Sequence, residues 1–218
     1  GLSIPTKNHS GRHIGRLYSV AELLFFDSEH EYHVGEEIYP SVSEIIRFLS
    51  REEYDSVNQY NLDNAAERGK LVHKATESID KYGSVEAETG IAGYVRAYVQ
   101  FLKDHNVQWE HIEHPMYHAT RKYAGTLDRE GIVDGKRTLL DIKTNGVIKK
   151  ALVKAQLNGY EDMRQSNGYP ASDQLICLQL MANGKYRLYP CEKDMTEFDA
   201  CYVLHAALKK KQERGRIL

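Results

Sequence analysis

Residues 123–144 read YAGTLDREGIVDGKRTLLDIKT, and this segment sets the architecture of the chain. Asp134-Gly135 lies between two runs rich in apolar and β-branched residues, which is the strongest short signal for a two-residue hairpin turn. The segment therefore predicts two adjacent antiparallel strands. Asp128 and Asp141 are thirteen residues apart with the turn between them, so we expect their carboxylates to lie close together.

The second strand carries acidic and basic side chains on one face. Because side chains alternate across a strand, Asp141 and Lys143 share a face while Ile142 points to the other. Leu139 and Leu140 indicate that this strand is buried on at least one side. Carboxylates that bind Mg²⁺ or Mn²⁺ through oxygen explain a charged cluster there, with the lysine stabilising negative charge on a substrate. An ordinary surface salt bridge is the alternative.

Periodic patterns on both sides of this hairpin predict further elements. Helices are expected at 42–49, 62–82, 87–104, 148–166 and 194–212, the first of them preceded by a capping box at Ser41 and Glu44. Strands are expected within 22–40 and at 107–118, 123–133, 137–144, 174–182 and 185–190. This order predicts an α/β (α+β) domain with helices flanking a central mixed β-sheet.

The composition limits the class of protein. Hydrophobic residues make up 41% and charged residues 28% of the 218 positions, which fits a folded protein with an N-terminal arm at 1–21 and one domain at 22–218. The sequence shows no membrane-length apolar stretch and no secretory signal, which predicts a cytoplasmic protein without membrane contact. Three cysteines without a CxxC pair argue against a disulfide framework and a zinc site. The net charge of −2 excludes no local basic groove.

Six short motifs resemble, in order, those of the RecB-like branch of the PD-(D/E)XK nuclease superfamily, and especially its phage-type and mitochondrial-maintenance-type exonucleases. The resemblance covers roughly residues 22–190. Its motifs are Tyr39-Pro-Ser-Val-Ser-Glu-Ile-Ile46, Arg68-Gly69-x-x-x-His73, Glu113, Gly125-x-x-Asp128, Asp141-Ile-Lys143-Thr144 and Gln156-x-x-x-Tyr160. Each motif alone is weak, but their order makes the set specific.

The resemblance implies a restriction-endonuclease-like core and a role for each matching position. It implies that one or two Mg²⁺ or Mn²⁺ ions are bound by His73, Asp128, Asp141 and the backbone carbonyl of Ile142. It implies an active centre formed by Lys143, Asp128, Asp141, Glu113, Gln156 and Tyr160. It further implies nucleic-acid contacts from Arg68, Thr144, Lys149 and Tyr160. No cysteine precedes His73, so we expect no iron–sulfur cluster of the kind that some relatives hold.

Several of these positions have a second interpretation from the residues themselves. His73 lies on the apolar stripe of its helix and is either a metal ligand or a hydrogen-bonded core histidine. Glu110 and Glu113 occupy opposite faces of one strand, and only the resemblance favours Glu113. Arg68 pairs either with phosphate or with neighbouring acids on a solvated helix face. The lysines at 149, 150, 154 and 209–211 either follow phosphates or form solvated faces.

The functional hypothesis is a divalent-metal-dependent DNA exonuclease of recombination, replication or repair, in the cytoplasm of a bacterial or phage-infected cell. Its partners would be single- or double-stranded DNA ends. Some members of the family that the chain resembles form rings around duplex DNA. A homo-oligomer or a recombination-protein partner is therefore a further possibility that the resemblance implies. The alternatives are a structure-specific endonuclease on the same fold and a nuclease-like module that binds nucleic acid without cutting it.

Overall fold

The computed structural model describes residues 22–26, 31–50, 59–86 and 88–215. The arm predicted at 1–21 lies outside these residues. In chain order the described elements are β1 (Leu23–Phe26), β2 (Glu31–Val34), β3 (Glu37–Tyr39), α1 (Val42–Ile46), a 3₁₀ turn (Arg47–Ser50), α2 (Gln59–Tyr82), α3 (Ala92–Asp104), β4 (Val107–His118), β5 (Tyr123–Val133), β6 (Lys136–Lys143), α4 (Lys150–Ser166), β7 (Gln174–Leu180), β8 (Tyr186–Cys191) and α5 (Thr196–Gly215).

The described elements form an α+β fold with a mixed five-stranded sheet. The sheet order is β4-β5-β6-β7-β8. All neighbours are antiparallel except β6 and β7, which are parallel because α4 carries the chain back to the same end. The predicted hairpin turn is confirmed: Asp134 and Gly135 have φ values of 50° and 78°, as a type I′ turn requires. Strands β1–β3 form a separate antiparallel sheet.

Two apolar clusters cover the two faces of the five-stranded sheet. One combines Leu139 and Leu175 with side chains of α1, α4 and α5. The other combines Leu140 and Ile142 with side chains of α2 and α3. The predicted alternation in β6 is confirmed, since consecutive residues enter opposite clusters. The sheet therefore lies between two helical layers, and a charged residue near the end of a central strand is largely shielded from water.

The ends of the helices show where local sequence signals hold. The Ser41 half of the predicted capping box is confirmed, because the Ser41 hydroxyl accepts a hydrogen bond of 3.0 Å from the Glu44 amide, whereas Oε1 of Glu44 lies 3.1 Å from His205 Nε2. The helix expected from residue 87 begins only at Ala92, since the Ile91 amide bonds the Glu88 carbonyl in a turn that precedes it. No helix within the described ranges combines the length and apolarity needed to cross a bilayer.

Candidate metal centre

A cavity of about 810 Å³ opens between α2, the β1–β2 hairpin, the ends of β5 and β6, and α4. We call it the metal-site cavity. Nine residues singled out in the sequence line it: His73, Glu113, Asp128, Asp141, Ile142, Lys143, Thr144, Gln156 and Tyr160. Residues from five segments of the chain thus meet in one cleft, and the cleft has the size of a typical ligand site.

Asp128 and Asp141 lie beside each other, as the hairpin predicts. Arg129 pairs with Leu140 across the two strands, which places both aspartates one residue further along. The Ile142 amide donates a hydrogen bond of 2.6 Å to Asp128 Oδ2. This bond fixes the carboxylate so that Oδ1 lies 3.7 Å from Nδ1 of His73.

His73 reaches the carboxylates from the inner face of α2. Its Nδ1 lies 3.2 Å from Glu113 Oε1, and its Nε2 lies 3.2 Å from the carbonyl oxygen of Ile142. Burial lowers the pKa of the imidazole, but the negative charges of Asp128 and Glu113 outweigh it and raise the pKa to about 9. Both ring nitrogens therefore lie beside acceptors, which favours the protonated imidazole in the metal-free protein. A metal ion bound by His73 would take the place of one of the two ring protons.

The chemistry of these groups fits a divalent ion. Ligand atoms of His73, Glu113 and Asp128 all lie within 4.8 Å of one another. The Ile142 carbonyl lies on the other side of the ring, 3.2 Å from His73 Nε2, whereas Nδ1 is the ring nitrogen beside Glu113 and Asp128. Carboxylates are the ligand type that suits Mg²⁺ and Mn²⁺. The cluster contains Glu113, whereas the sequence-based ligand set contained Asp141 in its place.

Asp141 is instead paired with the lysine two residues further on. Lys143 Nζ donates a hydrogen bond of 3.0 Å to Asp141 Oδ1. Asp141 Oδ2 contacts the same ammonium at 2.8 Å as an ion pair but, among the described residues, accepts no hydrogen bond of good geometry. Burial raises the pKa of Asp141 against the attraction of Lys143. A buried carboxylate oxygen facing the cavity thus keeps capacity for a further cation.

A bulge in β4 decides which glutamate faces the centre. Trp109 pairs with Gly131, but after the irregularity Ile112 pairs with Arg129 and His114 with Leu127. Glu113 therefore lies opposite Asp128, a position that Ile112 would occupy without the extra residue. Glu110 lies away from the cavity, where Arg137 Nη1 donates to it at 2.8 Å. The geometry thus distinguishes the two glutamates, since Glu113 lines the metal-site cavity and Glu110 does not.

Glu113 is held by a buried arginine that the sequence analysis did not single out. Arg129 is fully buried, and its Nη1 donates to Glu113 Oε1 at 2.9 Å and to the Asp128 carbonyl at 2.6 Å. Its Nε donates to Asp80 Oδ2 at 2.6 Å. Glu113 itself has a φ of 48°, a left-handed conformation that costs a non-glycine residue about 1–2 kcal/mol and that is concentrated at functional sites. A charged residue within a buried strand is the sequence signal that marks Arg129.

Gln156 and Tyr160 form the wall beside the aspartates. Gln156 Nε2 donates to the Tyr160 hydroxyl at 3.2 Å, one turn along α4. A Cβ on Gly125 would lie 2.7 Å from Tyr160 Cε1. Glycine at this position is therefore explained by the close approach of the tyrosine ring. Burial raises the pKa of Tyr160 well above its ordinary value, so its hydroxyl acts as a neutral hydrogen-bonding group.

Two predicted nucleic-acid contacts are placed elsewhere. The Arg68 guanidinium lies 5.7 Å from the ring centroid of Tyr94, and Arg68 does not line the metal-site cavity. Lys149 caps the start of α4 and does not line the cavity either. Conversely, Phe25, Tyr32, Lys70 and Lys74 line the cavity without having been singled out. Their spacing in sequence gives no signal, because a helix and a separate hairpin contribute them.

The chain matches no model of a known protein family and, at a significant level, no curated protein.

Proposed function

We propose that this protein is a divalent-metal-dependent deoxyribonuclease that removes nucleotides from DNA ends. The observation that carries the proposal is the meeting of His73, Glu113 and Asp128 beside the Asp141–Lys143 pair in one cavity. A His/Glu/Asp cluster beside a partly buried ammonium suits a substrate that is anionic and is cleaved by water, as a phosphodiester is. The motif order seen in the sequence gives the same interpretation.

The charged groups divide the work of phosphodiester hydrolysis. Mg²⁺ or Mn²⁺, when bound by His73, Glu113 and Asp128, supplies Lewis acidity toward a phosphoryl oxygen. Lys143 is held as an ammonium by its ion pair with Asp141: burial lowers its pKa, but Asp141 and Asp128 raise it further. The ammonium stabilises the negative charge that grows on the phosphate as water attacks phosphorus and the P–O bond to the leaving group breaks.

Attack at the end of a strand is proposed from the motif resemblance, and the cavity has room for it. A volume of about 810 Å³ is that of a pocket for a small ligand, so one terminal nucleotide fits within it. Lys70 and Lys74 line the same cavity from α2 and place positive charge beside the acidic centre. The backbone of an entering strand is attracted to these lysines.

Degradation of end-labelled DNA tests the proposal. Linear single-stranded and double-stranded DNA and a closed circle are incubated with Mg²⁺ or Mn²⁺, and with EDTA as a control. We expect metal-dependent shortening of linear DNA, an intact circle, and a loss of about 100-fold or more in Lys143→Met and Glu113→Gln. Nicking of the circle would favour the endonuclease alternative. Binding without cleavage under both metals would favour the non-cleaving module.

Two matched variants make the result specific. Glu110→Gln removes the other glutamate of β4, which pairs with Arg137 outside the cavity, and it should leave the rate unchanged. Lys103→Met removes an exposed lysine that lines no part of the cavity, and it should also keep full activity. Equal activity in Glu113→Gln and Glu110→Gln would show that Glu113 is not part of the active centre, which would contradict the proposed ligand set.

A further inference from the structure

A second cavity lies beside α1, the helix that also contributes residues to the metal-site cavity. Its volume is about 680 Å³, and it opens between β3, α1 and α5. We call it the basic pocket. Its charged lining consists of Arg47, Lys209, Lys211, Glu44 and His205. The sequence left the run Lys209–Lys211 as either a phosphate contact or a solvated face. Two of these lysines, Lys209 and Lys211, line the basic pocket.

The charge of the basic pocket is positive. Arg47, Lys209 and Lys211 contribute three permanent cations among its described lining residues, against one carboxylate. Oε1 of that carboxylate, Glu44, lies 3.1 Å from His205 Nε2. Within the pocket, Glu44 therefore already has the His205 imidazole as a partner. An anion with spaced negative charges, such as a sugar–phosphate backbone, fits this excess of positive charge.

Flat apolar groups accompany the cations. Phe48 and Pro40, which are partly exposed, also line the basic pocket, together with the edge of the buried Tyr39. The Arg47 guanidinium lies 6.0 Å from the ring centroid of Phe48. Cationic side chains beside aromatic faces are the combination that holds single-stranded nucleic acid, with the backbone on the charges and the bases against the rings.

The two cavities share the segment that separates them. Ser41 and Ser43 line the metal-site cavity, whereas Glu44 and Arg47 line the basic pocket. All four residues belong to α1 or its ends. Ser43 and Arg47 are four residues apart, which is about 6 Å along the helix axis at roughly 1.5 Å per residue, so a strand that reaches from one cavity to the other needs at least about two nucleotides at roughly 3.4 Å each.

We propose that the basic pocket binds the backbone of the same DNA strand whose end lies in the metal-site cavity, at least about two nucleotides from the scissile phosphate. This inference rests on the proposed nuclease function, because it takes the ligand to be a nucleic acid. The strand passes over α1, and its phosphates contact Lys209, Lys211 and Arg47. The pocket contributes affinity and positioning, and it performs no chemistry.

The salt dependence of DNA binding tests the inference. Binding of labelled oligothymidylate is measured in EDTA, which prevents cleavage, for the wild type and Lys209→Gln/Lys211→Gln. Two lost phosphate contacts should lower the slope of log K against log [salt] by about 1.4, since each contact to a single strand contributes about 0.7. At about 0.1 M salt this corresponds to a roughly tenfold to thirtyfold weaker affinity.

A matched variant with the same change in net charge controls for long-range electrostatics. Lys103→Gln/Lys185→Gln removes two exposed lysines that line neither cavity, and it should bind like the wild type. A ladder of oligothymidylates gives a second measure: the wild type should gain affinity once the length exceeds the span between the cavities, at least about two nucleotides, and the pocket variant should not.

The outcomes separate the pocket from the nuclease function. If the wild type degrades DNA and the pocket variant binds every length with an unchanged salt slope, the basic pocket is not a backbone site, while the nuclease function stands. Equal weakening by the control pair overturns the pocket in the same way. A wild type that binds Mn²⁺ but neither binds nor cleaves DNA overturns the nuclease proposal, and the pocket inference with it.

Discussion

At the scale of single residues, the candidate centre depends on charges that hold one another in place. Arg129 reaches Asp80 on α2, Glu113 on β4 and the Asp128 carbonyl on β5 with one guanidinium. It is buried together with Asp80, while Glu113 is partly exposed, and a buried charge of this kind is stable only while its partners are in place. The Tyr98 hydroxyl completes the set by donating to Asp80 Oδ2 at 2.6 Å.

Replacing Arg129 tests this arrangement. Arg129→Met leaves Asp80 buried without its cation, so we expect a loss of about 3–5 kcal/mol in the free energy of unfolding. Arg129→Lys keeps the charge and loses the branched geometry, so stability should fall less while Mn²⁺ affinity, measured calorimetrically, still drops. Unchanged Mn²⁺ affinity in a folded Arg129→Lys protein would show that the arginine supports the fold but does not position Glu113.

The raised pKa of His73 predicts a pH dependence of the metal-free protein. Because the pKa rises from 6.5 to about 9 on folding, the protonated ring stabilises the folded state fully below pH 6.5, and this stabilisation is lost as the pH rises through 9. In EDTA, the urea midpoint of the wild type should therefore fall across this window relative to that of His73→Gln. Parallel midpoints for the two proteins would contradict a charged His73.

At the scale of elements, the β4 bulge sets the register that completes the metal centre. Gly131 lies under this bulge: a Cβ there would be 2.2 Å from the Gln108 carbonyl oxygen and 2.8 Å from Trp109 Cα. Both neighbours are backbone atoms of the bulged strand. Only glycine at position 131 allows the backbone of β4 to approach β5 so closely. This close approach accommodates the bulge that brings Glu113 opposite Asp128.

Gly131→Ala should therefore disturb both stability and the site. We expect destabilisation of about 1–3 kcal/mol or more from the enforced strand shift, together with weaker Mn²⁺ binding because Glu113 moves. Gly146→Ala is the control, since a Cβ there meets no atom within 4 Å, and its stability should stay within about 0.5 kcal/mol of the wild type. Full Mn²⁺ affinity in Gly131→Ala would mean that the bulge does not set the site.

At the scale of the whole molecule, the metal centre ties distant segments together. His73, Glu113 and Asp128 belong to α2, β4 and β5, so their ligand atoms meet only in the folded chain. An ion that binds the folded state alone stabilises it by mass action. The same ion relieves the repulsion among carboxylates that face one cavity.

Metal-dependent stability follows from this arrangement. Mn²⁺ at about 100 times its dissociation constant should raise the free energy of unfolding by about 2.7 kcal/mol, and EDTA should reverse the shift. His73→Gln and Glu113→Gln should lose the effect. Lys143→Met should keep it, because the lysine pairs with Asp141 and lies outside the ligand cluster. A shift that persists in both ligand variants would place the ion elsewhere.

The sequence by itself determined the features that depend on neighbouring residues. The turn at Asp134-Gly135, the alternation of Asp141, Ile142 and Lys143, and the cap at Ser41 are all set within a few positions along the chain. Backbone sterics and side-chain alternation act over that range. The proximity of Asp128 to Asp141 follows from the same local rules.

Only the tertiary structure decided the features that depend on long-range packing. It selected Glu113 over Glu110 through a bulge whose position rests on contacts between strands. It buried Asp141 beneath its local partner Lys143, buried Arg129 beneath Glu113, and brought the end of α5 against α1 to form the basic pocket. A one-residue change of register reverses which side chains face a site, and register is a property of the assembled sheet that no short stretch of sequence contains.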